Sequence, residues 1–581
     1  MAIAREAYLG KVLATEDHPA HASEFWFIIE ENFDKIQVGS YVVISSLEGN
    51  VRRKILGVIE DMDVFAPYQK TPLAAYRRTP QPTETTGEQG VQGYTPTLAR
   101  CAKVKVVKSI PPVYRPPSYD APVFLLGEDD VELLHAEIPK DSRVVLGFMS
   151  ESLNPHFTHA DFLLGPEAAH INISGKSGMA TKTSYAWFLA ISSLSWCKRH
   201  GYESYVVMFN VKGYDLMRLH EIPEDWLDRY EEVLSKQRGK MALSEERVKL
   251  MSKMWKKLVN EFDIHPEKIK VKYFTYPDDP FADFEHADVK TFKFGLADLD
   301  IEDIESFLFD PTEQNVQRQQ QSLFTYLKRL TEADLKISFN DMLEDFRVYS
   351  IARNQSDMRN RNLRTRVRLD SWHTMTMGAL YRKLDKVLRS AERVVEKNRP
   401  ESPNALSFDR LASNAINIVQ LVGLSPEEKR LTVSHLLRSI QDDLSKDTSG
   451  KKRVLVMVDE LNKYAPAKGS SPIQWIIRDV AERGRYIGLS LMGCQQFASS
   501  IDINVYENSS LKAVGRTEHG EARAEVYKYL GELRERLILL RKGEFLIYHP
   551  FIDSPMVVEF PVPPYLLDFS LTSNKNSGVP A

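Results

Sequence analysis

The sequence is poor in the features that would place a protein outside a reducing, aqueous compartment. Of its 581 residues only three are cysteine, Cys101, Cys197 and Cys494. They stand far apart, with none of the spacings of a metal site or disulfide framework. No apolar run approaches the roughly 18 residues of a membrane helix, and no basic-then-apolar leader opens the chain. The expectation is a cytoplasmic protein that neither leaves the cell nor crosses a bilayer by itself. Positive charge is not in excess either: 76 Lys and Arg stand against 80 Asp and Glu, a net charge of −4. That excludes a uniformly basic nucleic-acid binder, although one surface can still focus positive charge. There is no internal repeat with a period of about 20 to 50 residues, no hydrolase elbow, no Cys/His pair and no zinc-finger spacing. His156, His159 and His170 lie close together, but no cysteine or carboxylate cluster completes a metal site, so structural roles are expected for them.

What is present is enough apolar material, 43% of residues, for the cores of two or three domains. From Tyr8 to Asp61 short strand-like runs alternate with polar turns: Leu9–Leu13, Glu24–Ile29, Tyr41–Ile44 and Lys54–Ile59. Ala102–Val107 adds one more, and strands at this spacing predict a small β-barrel. The alternation in Phe25-Trp-Phe27 points to core packing rather than a stacking platform. Beyond the barrel, apolar runs and helical periods alternate as in an α/β domain. The expected division is a barrel over 1–110 with an exposed Pro/Thr/Gln/Gly-rich loop at 65–98, and a linker over 111–140. The first part of an α/β core follows over 141–235. A mainly helical insertion spans 236–450, with a core strand near 269–274, before the second part of the core over 451–565 and a tail over 566–581.

Two motifs carry chemistry. The stretch His170-Ile-Asn-Ile-Ser-Gly-Lys-Ser-Gly-Met-Ala-Thr-Lys-Thr-Ser184 reads as strand, Gly/Ser-rich loop and helix, the arrangement in which backbone N–H groups and a lysine surround phosphates. If Gly175-Lys176-Ser177 closed the motif, His170 would stand where the leading glycine belongs and the strand would fill the loop. In the other register Gly175 and Gly178 shape the turn, Lys182 is the phosphate lysine, Thr183 the magnesium ligand, and the helix opens at Ser184. This second register departs from the usual form at Thr181, where glycine is normal, and by one extra residue after Gly175. The expected cradle is Gly175, Lys176, Ser177, Gly178, Ala180, Thr181, Lys182, Thr183 and Ser184. The second motif, Arg453-Val-Leu-Val-Met-Val-Asp459-Glu460, is a buried parallel strand ending in two carboxylates. In such a pair Asp459 orders Mg²⁺ and Glu460 polarises the attacking water. The bland alternatives are a chance Gly/Ser turn and a strand stopped by a charged turn; the two motifs together favour a site for ATP and Mg²⁺.

The order of barrel, phosphate loop, acidic strand and Glu482-Arg-Gly-Arg-Tyr-Ile-Gly-Leu-Ser-Leu-Met-Gly-Cys-Gln-Gln-Phe497 resembles the HerA family of hexameric DNA-translocating ATPases, relatives of FtsK. On those motifs the resemblance spans the barrel (about 5–110) and the core parts 140–235 and 451–562, and leaves much of the helical insertion uncovered. It implies a RecA-like P-loop core behind the barrel, a homohexamer, double-stranded DNA as partner, and a nuclease or other effector docked on the barrel. It implies work in DNA end processing or anti-phage defence, with no membrane contact. It makes Gln495 a sensor of the γ-phosphate and calls for an arginine acting in trans, with Arg516 first and Arg485 and Arg483 as competitors. Lys212 would lie near nucleotide or DNA. The arginines 353, 359, 361, 364, 366 and 368 are a candidate DNA contact, or a solvated helix face. The rival expectation is a ring-shaped scaffold that activates an effector, its ATPase secondary.

Overall fold

The computed structural model describes residues 8–16, 18–48, 51–65, 99–149, 152–166, 169–176, 182–213, 215–282, 287–310, 316–359, 361, 363–365, 367–469, 471–552 and 554–572. The predicted loop at 65–98 lies outside these, apart from Phe65. The chain forms two compact units. One comprises Met1–Pro139 with Leu530–Arg536 and Tyr548–Val557; the other comprises Lys140–Tyr529, Leu537–Ile547 and Val558–Ala581.

The first unit is a closed barrel of β1 (Tyr8–Leu13), β2 (Glu24–Ile29), β3 (Tyr41–Glu48), β4 (Val51–Phe65), β5 (Ala99–Ile110) and β6 (Pro122–Leu125), in the order β1-β2-β5-β4-β3-β6. Every pairing is antiparallel. Alternate residues point inward, so Phe25 and Phe27 fill the core with Leu9, Ile44, Ile55 and Val104, while Trp26 stacks beside His18 outside it. The predicted linker at 111–140 is corrected here. Four of its residues, Pro122–Leu125, pair with both β1 and β3 and close the barrel. A run this short among prolines reads as connection in the sequence, yet two open sheet edges need a strand between them. Distant segments also join this unit: Glu532 bonds Lys103 at 3.1 Å, and the Val557 amide donates to the Tyr41 hydroxyl at 3.1 Å.

The second unit is built on a 12-stranded sheet in the order β12-β11-β13-β10-β14-β15-β9-β16-β17-β18-β7-β8. Its strands are β7 (Arg143–Met149), β8 (Pro155–His159), β9 (Ile171–Ser174), β10 (Glu203–Asn210), β11 (Lys270–Thr275), β12 (Asp288–Thr291), β13 (Ala415–Gln420), β14 (Lys452–Asp459), β15 (Leu489–Gln495), β16 (Leu511–Val514), β17 (Glu544–Tyr548) and β18 (Met556–Glu559). From β12 to β16 the strands run parallel. Their continuous burial explains the unbroken apolar runs in the sequence. Helix α1 (Lys182–Arg199) is buried at every position from Ser184 to Cys197, which is why small and apolar residues occupy its whole circumference. Helices α2 (Trp226–Met241) and α3 (Glu245–Phe262) bring Trp226 and Trp255 edge to face at 5.1 Å. The indole N–H of Trp255 is satisfied by the Val562 carbonyl at 3.0 Å, as a buried indole requires.

Further along come α4 (Ile301–Leu308), α5 (Gln317–Glu332), α6 (Phe339–Ile351), α7 (Thr374–Ser390), α8 (Pro426–Lys446) and α9 (Pro472–Arg483). The segment read as a helical insertion with one strand therefore supplies three, β11, β12 and β13, and β13 lies inside the sheet between β11 and β10. The predicted tail begins as part of the fold: Leu567 is buried and Arg229 stacks over Phe569.

Candidate functional site

The parallel order β10-β14-β15-β9-β16 places the strand ending in Gln495 between the acidic strand and the phosphate-loop strand. Register is specific: Asp459 pairs with Cys494, and Gln495 with Ser174. The ends of β9, β14 and β15 thus meet on the carboxyl edge of the sheet, where ligands bind in open α/β folds.

After β9 the backbone turns at Gly175, whose φ of +135° favours glycine. A Cβ there would also meet the Gly515 and Arg516 backbone at 3.1 Å. Its two neighbouring amides are engaged, Gly175 N–H with the Gln496 carbonyl at 3.1 Å and Lys176 N–H with the Arg516 carbonyl at 2.7 Å. Four of the expected cradle residues, Ser177, Gly178, Ala180 and Thr181, lie outside the described residues. The two candidate lysines have different surroundings. Lys182 is the first residue of α1, only 3% exposed, and its ammonium donates to the Gly175 carbonyl at 2.6 Å. Burial holds its pKa below the usual lysine value, against the charges of Asp459 and Glu460 nearby. Lys176 is half-exposed and pairs with Glu518 at 2.5 Å. Thr183 follows on the first turn of α1, partly exposed. Ser184 is buried, and its side chain hydrogen-bonds the Tyr565 phenol.

Asp459 is 3% exposed at the end of β14, and burial raises its carboxyl above the ordinary range, opposed chiefly by Lys212. One of its oxygens accepts from the Glu460 amide at 2.8 Å. Glu460 takes a left-handed backbone, φ 55° and ψ 43°, uncommon for a residue with a side chain. Burial pushes its carboxyl upward, but Lys463 and Lys212 outweigh this and keep it low. The strand beside this turn is shaped to receive it: a Cβ on Gly493 of β15 would come within 2.4 Å of the Leu461 side chain. Gln495 is buried and donates to the Asn172 side chain at 2.7 Å, leaving its own Oε1 without a partner. A buried unpartnered acceptor is costly and marks a place where a ligand or water donor belongs.

A cavity of about 310 Å³ opens beside the loop, lined by Gly175, Lys176, Lys182, Arg516, Arg541 and Lys542 among others. Five cationic side chains around one cavity favour an anionic occupant. Arg516, the first choice for a trans role, lies in its own chain's cavity. Arg483 pairs with Asp479 at 3.3 Å, and Arg485 stacks on Tyr486, both near the opposite, amino end of β15. Arg541 and Lys542 escaped the sequence reading; a basic pair before a short strand is an ordinary turn until the fold brings it here. Asn172 was missed likewise, being one polar residue in an apolar run.

No group of three or more His, Cys, Asp or Glu side chains that could hold a metal ion occurs among the described residues, so the chain offers no closed metal cage. One carboxylate and one hydroxyl beside a phosphate cradle is nevertheless the hard-oxygen set that Mg²⁺ accepts, its remaining positions falling to phosphate and water. Asp459 and Thr183 fit it.

Comparison with known proteins agrees with this geometry. No curated protein matches the chain. Residues 243–440 match the family model described as "Helicase HerA, central domain". The chain carries a HerA central domain. The match corrects the sequence-derived coverage: it falls on the segment left uncovered by the motifs, because that segment holds β11–β13 and belongs to the sheet. Solved structures with likeness include VirB4 of Thermoanaerobacter pseudethanolicus, 14% identical over 74% of this chain and 98% of that one, TM-score 0.42. A bacterial conjugative coupling protein, TrwB, is 11% identical over 74% and 91%, TM-score 0.42. The genome packaging NTPase B204 from Sulfolobus turreted icosahedral virus 2, in complex with sulfate, is 15% identical over 26% and 68%, TM-score 0.21. The strand order and the nucleotide site are those of a RecA-like P-loop ATPase.

Proposed function

We propose that the chain hydrolyses ATP to move along, or grip, double-stranded DNA as a ring of six copies, with a nuclease or other effector docked on its barrel. DNA end processing or anti-phage defence is the corresponding role. The observation that carries the reading is the meeting of buried Lys182, Asp459 and Gln495 on one carboxyl edge, with Glu460 next to them. Lys182 neutralises the β- and γ-phosphates. Gln495, with an unpartnered oxygen, orders the attacking water. Glu460 takes up the water's proton as the oxygen attacks the γ-phosphorus and the bond to the β-phosphate oxygen breaks. When bound, Mg²⁺ held by Thr183 and Asp459 would neutralise phosphate charge. The position of Arg516 supports contact with its own chain's nucleotide, which leaves Arg485 and Arg483 as the arginines for a neighbouring copy.

The test compares ATP hydrolysis with and without double-stranded DNA in two variants. Lys182→Ala should lower the rate at least about 100-fold, the scale of lost preorganised charge at a reacting group, while Lys176→Ala should retain most of it. The reverse pattern would show the loop to be read in the wrong register. Absence of any DNA stimulation in the wild type would favour the scaffold reading.

A further inference from the structure

The acidic turn carries a feature that hydrolysis alone does not require. Both carboxylate oxygens of Glu460 are taken by lysines: Lys212 Nζ lies 3.1 Å from Oε1, and Lys463 contacts Oε2. Lys212 also stands 3.8 Å from Asp459. A carboxylate held by two ammonium groups is a poor acceptor for a water proton, because its lone pairs are occupied and its charge is neutralised. Lys463 sits on the same short turn as Glu460, but Lys212 comes from another strand and is placed there by a built contact. β10 ends at Asn210, whose amide donates to the Gly213 carbonyl at 3.0 Å and to Gln420 of β13 at 2.8 Å. Gly213 has φ +56°, so the chain doubles back there and Lys212 projects toward the end of β14. Asn210 and Gln420 are both buried, so the turn bearing Lys212 is fixed to the sheet while its ammonium remains half-exposed.

We infer that Lys212 is a latch on the hydrolytic centre, holding Glu460 out of use until the phosphates of a bound nucleotide draw the ammonium away. The inference rests on Glu460 being the residue that activates water. A triphosphate carries more negative charge than the carboxylate and enters on the same edge of the sheet, so it competes for the half-exposed lysine. The buried Asn210–Gln420 contact keeps the lysine from wandering in the empty state. Hydrolytic competence is thereby tied to occupancy, and Lys212 is a positioning residue rather than one that reacts.

The experiment measures steady-state ATP hydrolysis without DNA by the full-length chain. Lys212→Met should raise kcat about two- to fivefold, the scale set by a half-exposed ion pair, with little change in KM. Lys212→Arg, which keeps a cation, should stay near the parent rate. Asn210→Ala leaves the lysine present but frees its turn, and should raise kcat in the same direction. In Lys212→Met/Glu460→Gln the rise should vanish. A fall or no change in kcat for Lys212→Met overturns the latch, as does a rise that survives in the double variant. Glu460→Gln alone, compared with the parent, tests the assignment of Glu460 itself: unimpaired hydrolysis there refutes the site reading, whatever Lys212 does.

Discussion

His170 illustrates how a single residue serves the strand that leads to the phosphate loop. It takes a left-handed backbone, φ 71°, and its buried ring accepts from the Leu491 amide at 3.0 Å, tying β9 to β15 before either reaches the site. Burial, with the Arg485 charge beside it, pushes its pKa down to about 4. The folded state therefore keeps this imidazole neutral while the unfolded chain binds a proton near the ordinary histidine value of about 6.5. The stability it contributes is present above that value and is lost as pH falls toward 4. The lowered pKa predicts a loss of about 2 kcal/mol between roughly pH 7.5 and pH 5 from this group. His170→Gln, which preserves an acceptor, should flatten that part of the profile in denaturant unfolding; an unchanged slope would refute the assignment. The sequence offered only three histidines near one another, for which structural roles were expected. His159, for example, caps the short helix Ala160–Leu164 by accepting from the Asp161 amide at 3.1 Å. Which partner each ring has is a matter of strand pairing that spacing does not reveal.

At the scale of elements, the arginine-rich stretch is organised by a carboxylate inside α6. Asp345 is fully buried and accepts from the Tyr326 hydroxyl at 2.9 Å, the Arg364 amide at 2.8 Å and the Thr365 hydroxyl. Burial raises its pKa, and these donors oppose the rise. Asp345 therefore fixes the stretch between α6 and α7 through its backbone, leaving the Arg364 and Arg368 side chains exposed. Arg359 and Arg366 have no described side chains. Asp345→Ala should leave buried donors unpaired and cost about 3 kcal/mol, read as a lower unfolding midpoint with faster proteolysis after Arg364 and Arg368. The start of α6 was legible in the sequence, since Ser338 and Asp341 form a capping box. β13 was not. Ala415-Ile-Asn-Ile-Val-Gln420 lies among long helical periods, and a six-residue apolar run does not declare its state by periodicity. Its place in the sheet follows from pairing with β10 and β11 on either side.

For the molecule as a whole, the mild negative charge and the cation-lined cavity are compatible, because the fold collects lysines and arginines from distant segments at one edge of the sheet. No helix among the described residues is long and apolar enough to cross a membrane. If the ring is a motor, assembly and chemistry are separable. Glu460→Gln should keep the parent's native mass, with and without DNA, while losing at least about 100-fold in hydrolysis, the usual scale for removing a general base. Loss of assembly together with hydrolysis would instead make Glu460 part of the subunit contact. An effector whose stimulation survives this substitution would favour the scaffold reading.

By itself the sequence determined the two-part architecture, a barrel followed by an α/β core, and the segments that supply nucleotide chemistry. Alternation at period two, apolar runs ending in carboxylates, and a Gly/Ser-rich loop before a helix are local patterns, written within a dozen or so residues. Tertiary structure alone decided which pieces meet. It closed the barrel with a strand hidden in an apparent linker and drew β11–β13 out of a helical stretch into the sheet. It buried Lys182 while pairing Lys176 with Glu518, and brought Lys212 onto Glu460. Those outcomes depend on strand order and register, set by burial and edge pairing between segments up to hundreds of residues apart, which no local pattern encodes.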